Sequence, residues 1–392
     1  MKLSRRTGWP RRPSRLAELL ASAKGPRTDL TASNPTSVGL ARPEVLPLLA
    51  APEGARYRPE ALGRREAREA VARYYARRGA SVDADQVVLT ASSSEAYAWL
   101  FKLLADPGDT VLAPEPSYPL FPFLAGLEDV RLVPYPLRKD EAWRIDLGAV
   151  ARRLDEEPRA RAILVVHPGN PTGALLRQDD ALALGELAAA RDVALVVDEV
   201  FLDYPDPRVA PNRRGTTLGL AAETGADVFV LSGLSKVALL PQVKLGWLVA
   251  EGPGAAEALA RLEIVADSYL SVSAAVQLAA PRLLDEVEPV QARLAARLAA
   301  NGEVLQRALS ALGPDAPVTA LPRDGGWYVM LEVPRTRSDD EWIAHLLEAG
   351  LVVHPGYFFD AEEEGLMVVS LLVEPEVFAP AIARALALFA AG

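Results

Sequence analysis

The chain has 392 residues, 50% hydrophobic and 24% charged, enough apolar content to close a core of enzyme size and to make about two domains. Its 52 acidic and 42 basic residues give a net charge of -10 and are interspersed rather than blocked, which excludes the concentrated basic face of a nucleic-acid binder. Without cysteine there are no disulfides, thiolate metal sites or thiol catalysis, and His167, His345 and His354 stand at no metal-ligand spacing, so no metal is expected.

Residues 1–50, rich in Pro, Arg and Ser, have little periodicity and are expected to form an arm that joins a smaller C-terminal domain. The arginines of MKLSRRTGWPRRPSR precede no apolar signal core, and no run of 18 apolar residues occurs. The chain therefore reads as soluble and cytoplasmic, with no membrane partner. From 86 to 250, short apolar runs (QVVLT, TVLA, VRLVPY, AILVVH, VALVVD, VFVLS and LGWLVA) alternate with helical patterns. Strands apolar on both faces, alternating with helices, imply an α/β fold: a mainly parallel sheet covered by helices on both faces, placed in a large domain at 51–284. Beyond Pro281 the pattern changes. Val290, Leu294, Leu298, Leu305, Leu309 and Leu312 mark a long amphipathic helix, followed by WYVMLEV, MVVSLLV and a terminal helix, which places a smaller α+β domain at 285–392.

In an open α/β sheet the ligand site lies beyond the carboxyl ends of the strands. QVVLT runs into Ser92, Ser93, Ser94 and Glu95. The S-x-x-E spacing explains Ser92 and Glu95 as a helix cap, and the same hydroxyls and backbone N–H groups at a helix N-terminus can cradle a phosphate. TVLA leads to Pro116-Ser117-Tyr118-Pro119, where Tyr118 is either packed in the core or free to stack on a flat ring. AILVVH ends in PGNPTG, a turn by composition that carries Asn170. VALVVD ends in Asp198, a carboxylate that needs a cation or several donors if buried. Lys236, in LSGLSKVALLPQVKLGW, precedes an apolar run that offers no ion partner.

In this order and spacing, Asn170, Asp198, Lys236 and Lys244 give a chain that resembles the fold-type I, class I/II pyridoxal-phosphate-dependent aminotransferases, from Thr31-Ala32-Ser33-Asn34-Pro35 to the terminal helix. The resemblance implies pyridoxal 5'-phosphate as cofactor and Lys236 as the residue that bonds its aldehyde and moves the substrate proton. It implies that Asp198 pairs with the ring nitrogen, Asn170 donates to the ring oxygen and Tyr118 stacks on the ring. Ser92, Ser93, Ser94 and Lys244 would hold the phosphate, and Tyr57 would reach the phosphate of a neighbouring subunit in a homodimer. Asn34 and Gly39 fall on the substrate side.

Three positions depart from that family. Phe201 stands where a tyrosine is usual and cannot donate a hydrogen bond. Gln242 replaces a glycine two residues before the phosphate-binding cation. Val368 stands where the family carries the arginine that clamps the α-carboxylate. Arg323 is the first candidate to replace that clamp, with Arg6 and Arg42 behind it, while Trp327, Tyr328 and Phe358 can give the pocket an apolar wall. The implied reaction moves an amino group between an amino acid, with a small or hydrophobic side chain favoured, and a 2-oxo acid. A C–S lyase, an amine-donor transaminase and a non-catalytic cofactor-binding regulator are the alternatives, because one fold hosts several reactions.

Overall fold

The computed structural model of the chain describes residues 1–139, 142–210 and 215–392. Ser14 accepts a hydrogen bond from the Ala17 N–H and so starts α1 (Arg15–Ser22), and β1 (Thr28–Asp29) follows. The apolar residues of this segment, Leu16, Leu30, Val38 and Leu40, are buried in one cluster with Leu294, Val368 and Phe389 of the C-terminal part. Burying them there stabilises an arm too poor in periodic apolar residues to hold itself together.

The next elements alternate as the sequence pattern predicts. They are α2 (Arg65–Ala76), β2 (Val87–Thr90), α3 (Ser93–Leu104), β3 (Thr110–Glu115), α4 (Phe121–Leu127), β4 (Arg131–Lys139), β5 (Trp143–Ile145), α5 (Leu147–Glu156), β6 (Ala160–Val166), α6 (Gln178–Ala190) and β7 (Ala194–Asp198), then α7 (Leu220–Thr224), β8 (Val228–Gly233), α8 (Leu234–Val237), β9 (Gly246–Glu251), α9 (Ala255–Tyr269) and α10 (Ala274–Asp285). The eight strands lie in the order β2-β9-β8-β7-β6-β3-β4-β5. Strands β4, β3, β6, β7 and β8 are mutually parallel, whereas β9 runs antiparallel between β8 and β2. That reversal arises because residues 234–245 fold as the single turn α8 and a loop rather than as a crossover helix. Side chains alternate across the sheet: Leu89, Ile163, Val197 and Val230 pack on one face, and Val88, Leu164, Val196 and Leu231 on the other. Helices cover both faces, which is why the inner strands β2, β3, β6, β7, β8 and β9 are largely apolar and buried.

The remaining elements are α11 (Glu288–Ala311), β10 (Thr319–Ala320), β11 (Tyr328–Glu332), α12 (Asp339–Glu348), β12 (Leu351–Val352), β13 (His354–Pro355), β14 (Leu366–Ser370) and α13 (Pro375–Ala391). They form an antiparallel sheet in the order β10-β11-β14-β13, while β12 pairs in parallel with β1. On α11 the periodic residues Leu294, Leu298 and Leu305 are buried. The buried Asn301 amide donates to the carbonyls of Leu371 and Val373 at 2.8 and 2.7 Å. These bonds satisfy backbone acceptors just past the end of β14 that would otherwise be stranded in the core. Among the described residues, no helix is long and apolar enough to cross a membrane.

Candidate active site

Because β9 is antiparallel to both neighbours, β2 runs in the same direction as β8, β7, β6 and β3. The carboxyl ends of these five strands therefore share one edge, and each delivers one of the sequence candidates to it. Past β2, Ser92 caps α3 by accepting from the Glu95 N–H at 3.2 Å, and Glu95 accepts in return from the Ala91 N–H at 2.6 Å. The first N–H groups of α3 so open at the edge, with the positive end of the helix dipole behind them. Gly246 of β9 passes directly beneath: a Cβ there would lie 2.7 Å from the Ser92 carbonyl carbon and 2.9 Å from the Ser93 nitrogen. Only glycine allows that approach. Past β3, Tyr118 packs edge-on against Phe121 at 5.5 Å and has Ser94 in hydrogen-bonding reach.

Asp198 closes β7 and is 6% exposed. The Val200 N–H donates to its Oδ1 at 3.0 Å and the Tyr97 hydroxyl to its Oδ2 at 3.1 Å. Burial nevertheless outweighs these bonds and the attraction of Lys236, and pushes the carboxyl up to about 6. Such a group gains from a cationic partner. Lys236, on the single turn α8, has its Nζ 4.7 Å from the centre of the Trp327 ring and 5.6 Å from that of Phe201. Burial among these rings lowers its amine to about 8, with Asp198 pulling the other way. An amine at that value holds a substantial neutral, nucleophilic fraction near neutral pH. Beyond β6, Asn170 has a buried Oδ1 with no partner.

These features fit the pyridoxal phosphate that the sequence resemblance implies. A carboxylate short of a cation, a desolvated amine and an open helix N-terminus sit at one edge, and each lacks what that cofactor carries. Lys244 is exposed and takes a left-handed conformation, φ 60°, two residues before Gly246.

Other candidates stand elsewhere. Tyr57 is 81% exposed, on the stretch before α2. Asn34 is exposed and spends its Oδ1 on the Thr36 N–H and hydroxyl at 3.0 and 2.8 Å. Gly39 has φ +70°, and a Cβ on it would sit 2.8 Å from Glu374 Oε1. Arg323, expected as the substrate clamp, has protein partners for its guanidinium. Its side chain, 8% exposed, pairs with Asp206 at 3.1 Å and donates to the carbonyls of Gly325 and Gly326 at 3.2 Å each. A guanidinium so committed is a structural tie between loops. Arg6 pairs with Asp129 at the surface, and Arg42 is held by Glu44 and the Ala238 carbonyl. Trp327 and Tyr328 are buried, and Phe358 is 38% exposed.

Sequence reasoning passed over Tyr97, which reads as one more apolar position of AYAWLF, and Tyr204, whose hydroxyl donates to the Lys236 carbonyl at 2.7 Å. It also passed over Glu199, whose buried carboxylate accepts from the Thr216 hydroxyl and from the Thr217 N–H and hydroxyl. The DE pair was visible, but the threonines that hold its second member were not.

The chain matches the family model for class I and II aminotransferases over residues 26–376. It is 29% identical over 334 residues to the arginine–pyruvate transaminase of Pseudomonas aeruginosa, which covers 82% of this chain and 79% of that one. It is 29% identical over 316 residues to the valine–pyruvate aminotransferase of Mycobacterium tuberculosis, which covers 79% and 76%. Among solved structures, the N-succinyldiaminopimelate aminotransferase of Mycobacterium tuberculosis matches it with a TM-score of 0.82 at 26% identity, covering 100% of both chains.

Proposed function

The chain belongs to the class I and II aminotransferase family and is a pyridoxal-phosphate-dependent transaminase; from that premise we propose which of its residues perform the transfer, and on what. When bound, pyridoxal phosphate supplies an aldehyde for the donor's amine and a protonated ring that withdraws electrons from the adjacent carbon. Lys236 is the proposed catalytic residue: its amine would hold the cofactor by its aldehyde, with loss of water, and, once a donor amine takes its place, would take the proton from the donor's Cα. The desolvated amine under Trp327 is the observation that carries this reading, because a lysine held near 8 can both attack and accept a proton.

Asp198 would accept from the ring N–H, and the Tyr97 and Val200 hydrogen bonds hold its two oxygens. Asn170 would donate its amide to the ring oxygen, and Tyr118 would stack on the ring. Ser92, Ser93 and Ser94 at the start of α3 hold the phosphate, with Lys244 as a point charge beside them. Tyr57, exposed in a single chain, completes the phosphate site of a second copy in a homodimer. Phe201, Trp327, Tyr328 and Val368 form an apolar surround that favours an amino acid with a small or hydrophobic side chain. The residues 1–50, 51–284 and 285–392 act as arm, cofactor-binding domain and small domain.

The experiment is a spectral half-reaction on the holoenzyme. An apolar amino acid is expected to change the visible absorption, and a 2-oxo acid to restore it. Release of pyruvate and ammonia from a β-substituted donor without that cycle would defeat the transfer reading.

A further inference from the structure

Val368 lies on the central strand β14, with Met330 of β11 directly opposite on one side and His354 of β13 directly opposite on the other. Opposed residues of antiparallel strands project from the same face with their Cβ atoms about 5 Å apart. The imidazole is therefore the polar side chain next to the position where the family's arginine is missing. The same face holds Tyr328 and Ser370, two residues along from Met330 and Val368.

Tyr328 connects this face to the lysine. Its ring centre is 6.4 Å from that of Phe201, which is 5.6 Å from Lys236 Nζ. In the other direction Tyr328 meets Phe359 at 6.1 Å, and Phe359 meets His354 at 5.7 Å. The turn at Gly356–Phe359 is tied to the Tyr118 loop by the Ser117 N–H, which donates to the Phe359 carbonyl at 2.9 Å. His354 thus stands on the aromatic wall that starts at Lys236. Its Nδ1 is buried without a hydrogen-bond partner, and its ring is fixed by stacking on Phe358 at 4.2 Å and 23°. A buried, rigidly held polar atom without a partner costs stability unless a ligand supplies the bond. Meanwhile Arg6, Arg42 and Arg323, the arginines named as candidates for the missing clamp, each pair with a carboxylate of the chain.

We propose that His354 is a specificity-determining residue that hydrogen-bonds the carboxylate of the amino acid and of the 2-oxo acid in place of the family's arginine. The proposal rests on the transaminase reading. A single imidazole donor lacks the bidentate fork of a guanidinium, so the carboxylate contributes less to binding here and the apolar surround contributes proportionally more.

The test compares an α-amino acid with the amine of the same side chain, on holoenzyme carrying His354→Leu or His354→Gln. Loss of a hydrogen bond to a charged group is expected to raise KM for the amino acid about ten-fold or more. The turnover number should change far less, kcat/KM for the amine should fall by a much smaller factor than for the amino acid, and the Gln variant should recover part of the loss. The second readout needs no variant. The chain has 3 histidines, so histidine-selective NMR on unmodified holoenzyme resolves them, and pyruvate is expected to shift the His354 ring resonances but not those of His345 on α12. Equal effects on amino acid and amine, no effect on either, or an unmoved His354 signal would each overturn the proposal. If unmodified holoenzyme transfers no amino group to begin with, the transaminase reading is what has failed.

Discussion

Replacing Asp198 by Asn separates what the site contributes to function from what it costs in stability. Burial raises the carboxyl from its ordinary 3.8 to about 6, despite the Val200 N–H, the Tyr97 hydroxyl and Lys236. Since the folded-state value lies above the unfolded one, the folded protein favours the protonated acid. Stability is then lost as pH rises from about 4 to about 6, and the full cost, about 3 kcal/mol, is present at pH 8. The amide of Asp198→Asn carries no charge to desolvate, its oxygen can still accept from the Val200 N–H, and its NH2 can donate to the Tyr97 hydroxyl, which then accepts. It also removes a like charge beside Glu199, a carboxyl that burial, with Asp198 contributing, raises to about 7. Against this, Lys236 loses an attractive neighbour. Cofactor-free Asp198→Asn is therefore expected to be more stable than the parent by about 1–3 kcal/mol at pH 8, with the gain fading towards pH 4. Urea denaturation of both proteins at the two pH values measures it. A variant no more stable at pH 8, or a difference independent of pH, would refute the assignment of Asp198 as an uncompensated buried charge.

Phe201→Tyr places a hydroxyl near Lys236 and should lower the pH of the holoenzyme's visible titration by about 0.5–1 unit, the equivalent of one hydrogen bond of roughly 1 kcal/mol; a spectrophotometric titration showing no downward shift contradicts it. Gly246→Ala drives a Cβ into the backbone at Ser92 and Ser93, so it should weaken cofactor binding about ten-fold or more and cost about 1–3 kcal/mol of stability, both measurable by cofactor titration and denaturation. Arg323→Ala should leave KM for the amino acid unchanged. It should destabilise by less than the roughly 3–5 kcal/mol of a fully orphaned buried charge, because Arg208 still pairs with Asp206 at 2.8 Å; a large rise in KM with stability intact would restore Arg323 as the clamp.

The inner strands of the large sheet were legible because β2, β3, β6, β7, β8 and β9 are apolar on both faces, a pattern that a helix-covered parallel sheet imposes. That such a sheet works at its carboxyl edge put Ser92, Tyr118, Asn170 and Asp198 at one edge, and the family resemblance added Lys236. What could not be read depends on pairing across long sequence separations. The reversal of β9 depends on how 234–245 folds, and the burial of Leu16, Leu30 and Leu40 depends on partners at the other end of the chain. Arg323 looked free because Asp206, far away in sequence, became its partner only on folding. The opposition of His354 and Val368 is a matter of strand register, which alternating apolar residues in so short a strand as β13 do not specify.

The most direct measurement is to reduce the purified holoenzyme with borohydride, digest it and locate the cofactor by mass spectrometry. The account predicts the phosphopyridoxyl group on the peptide that contains Lys236, and its loss in Lys236→Ala. The cofactor fixed at another lysine such as Lys244, or fixed nowhere, would contradict it.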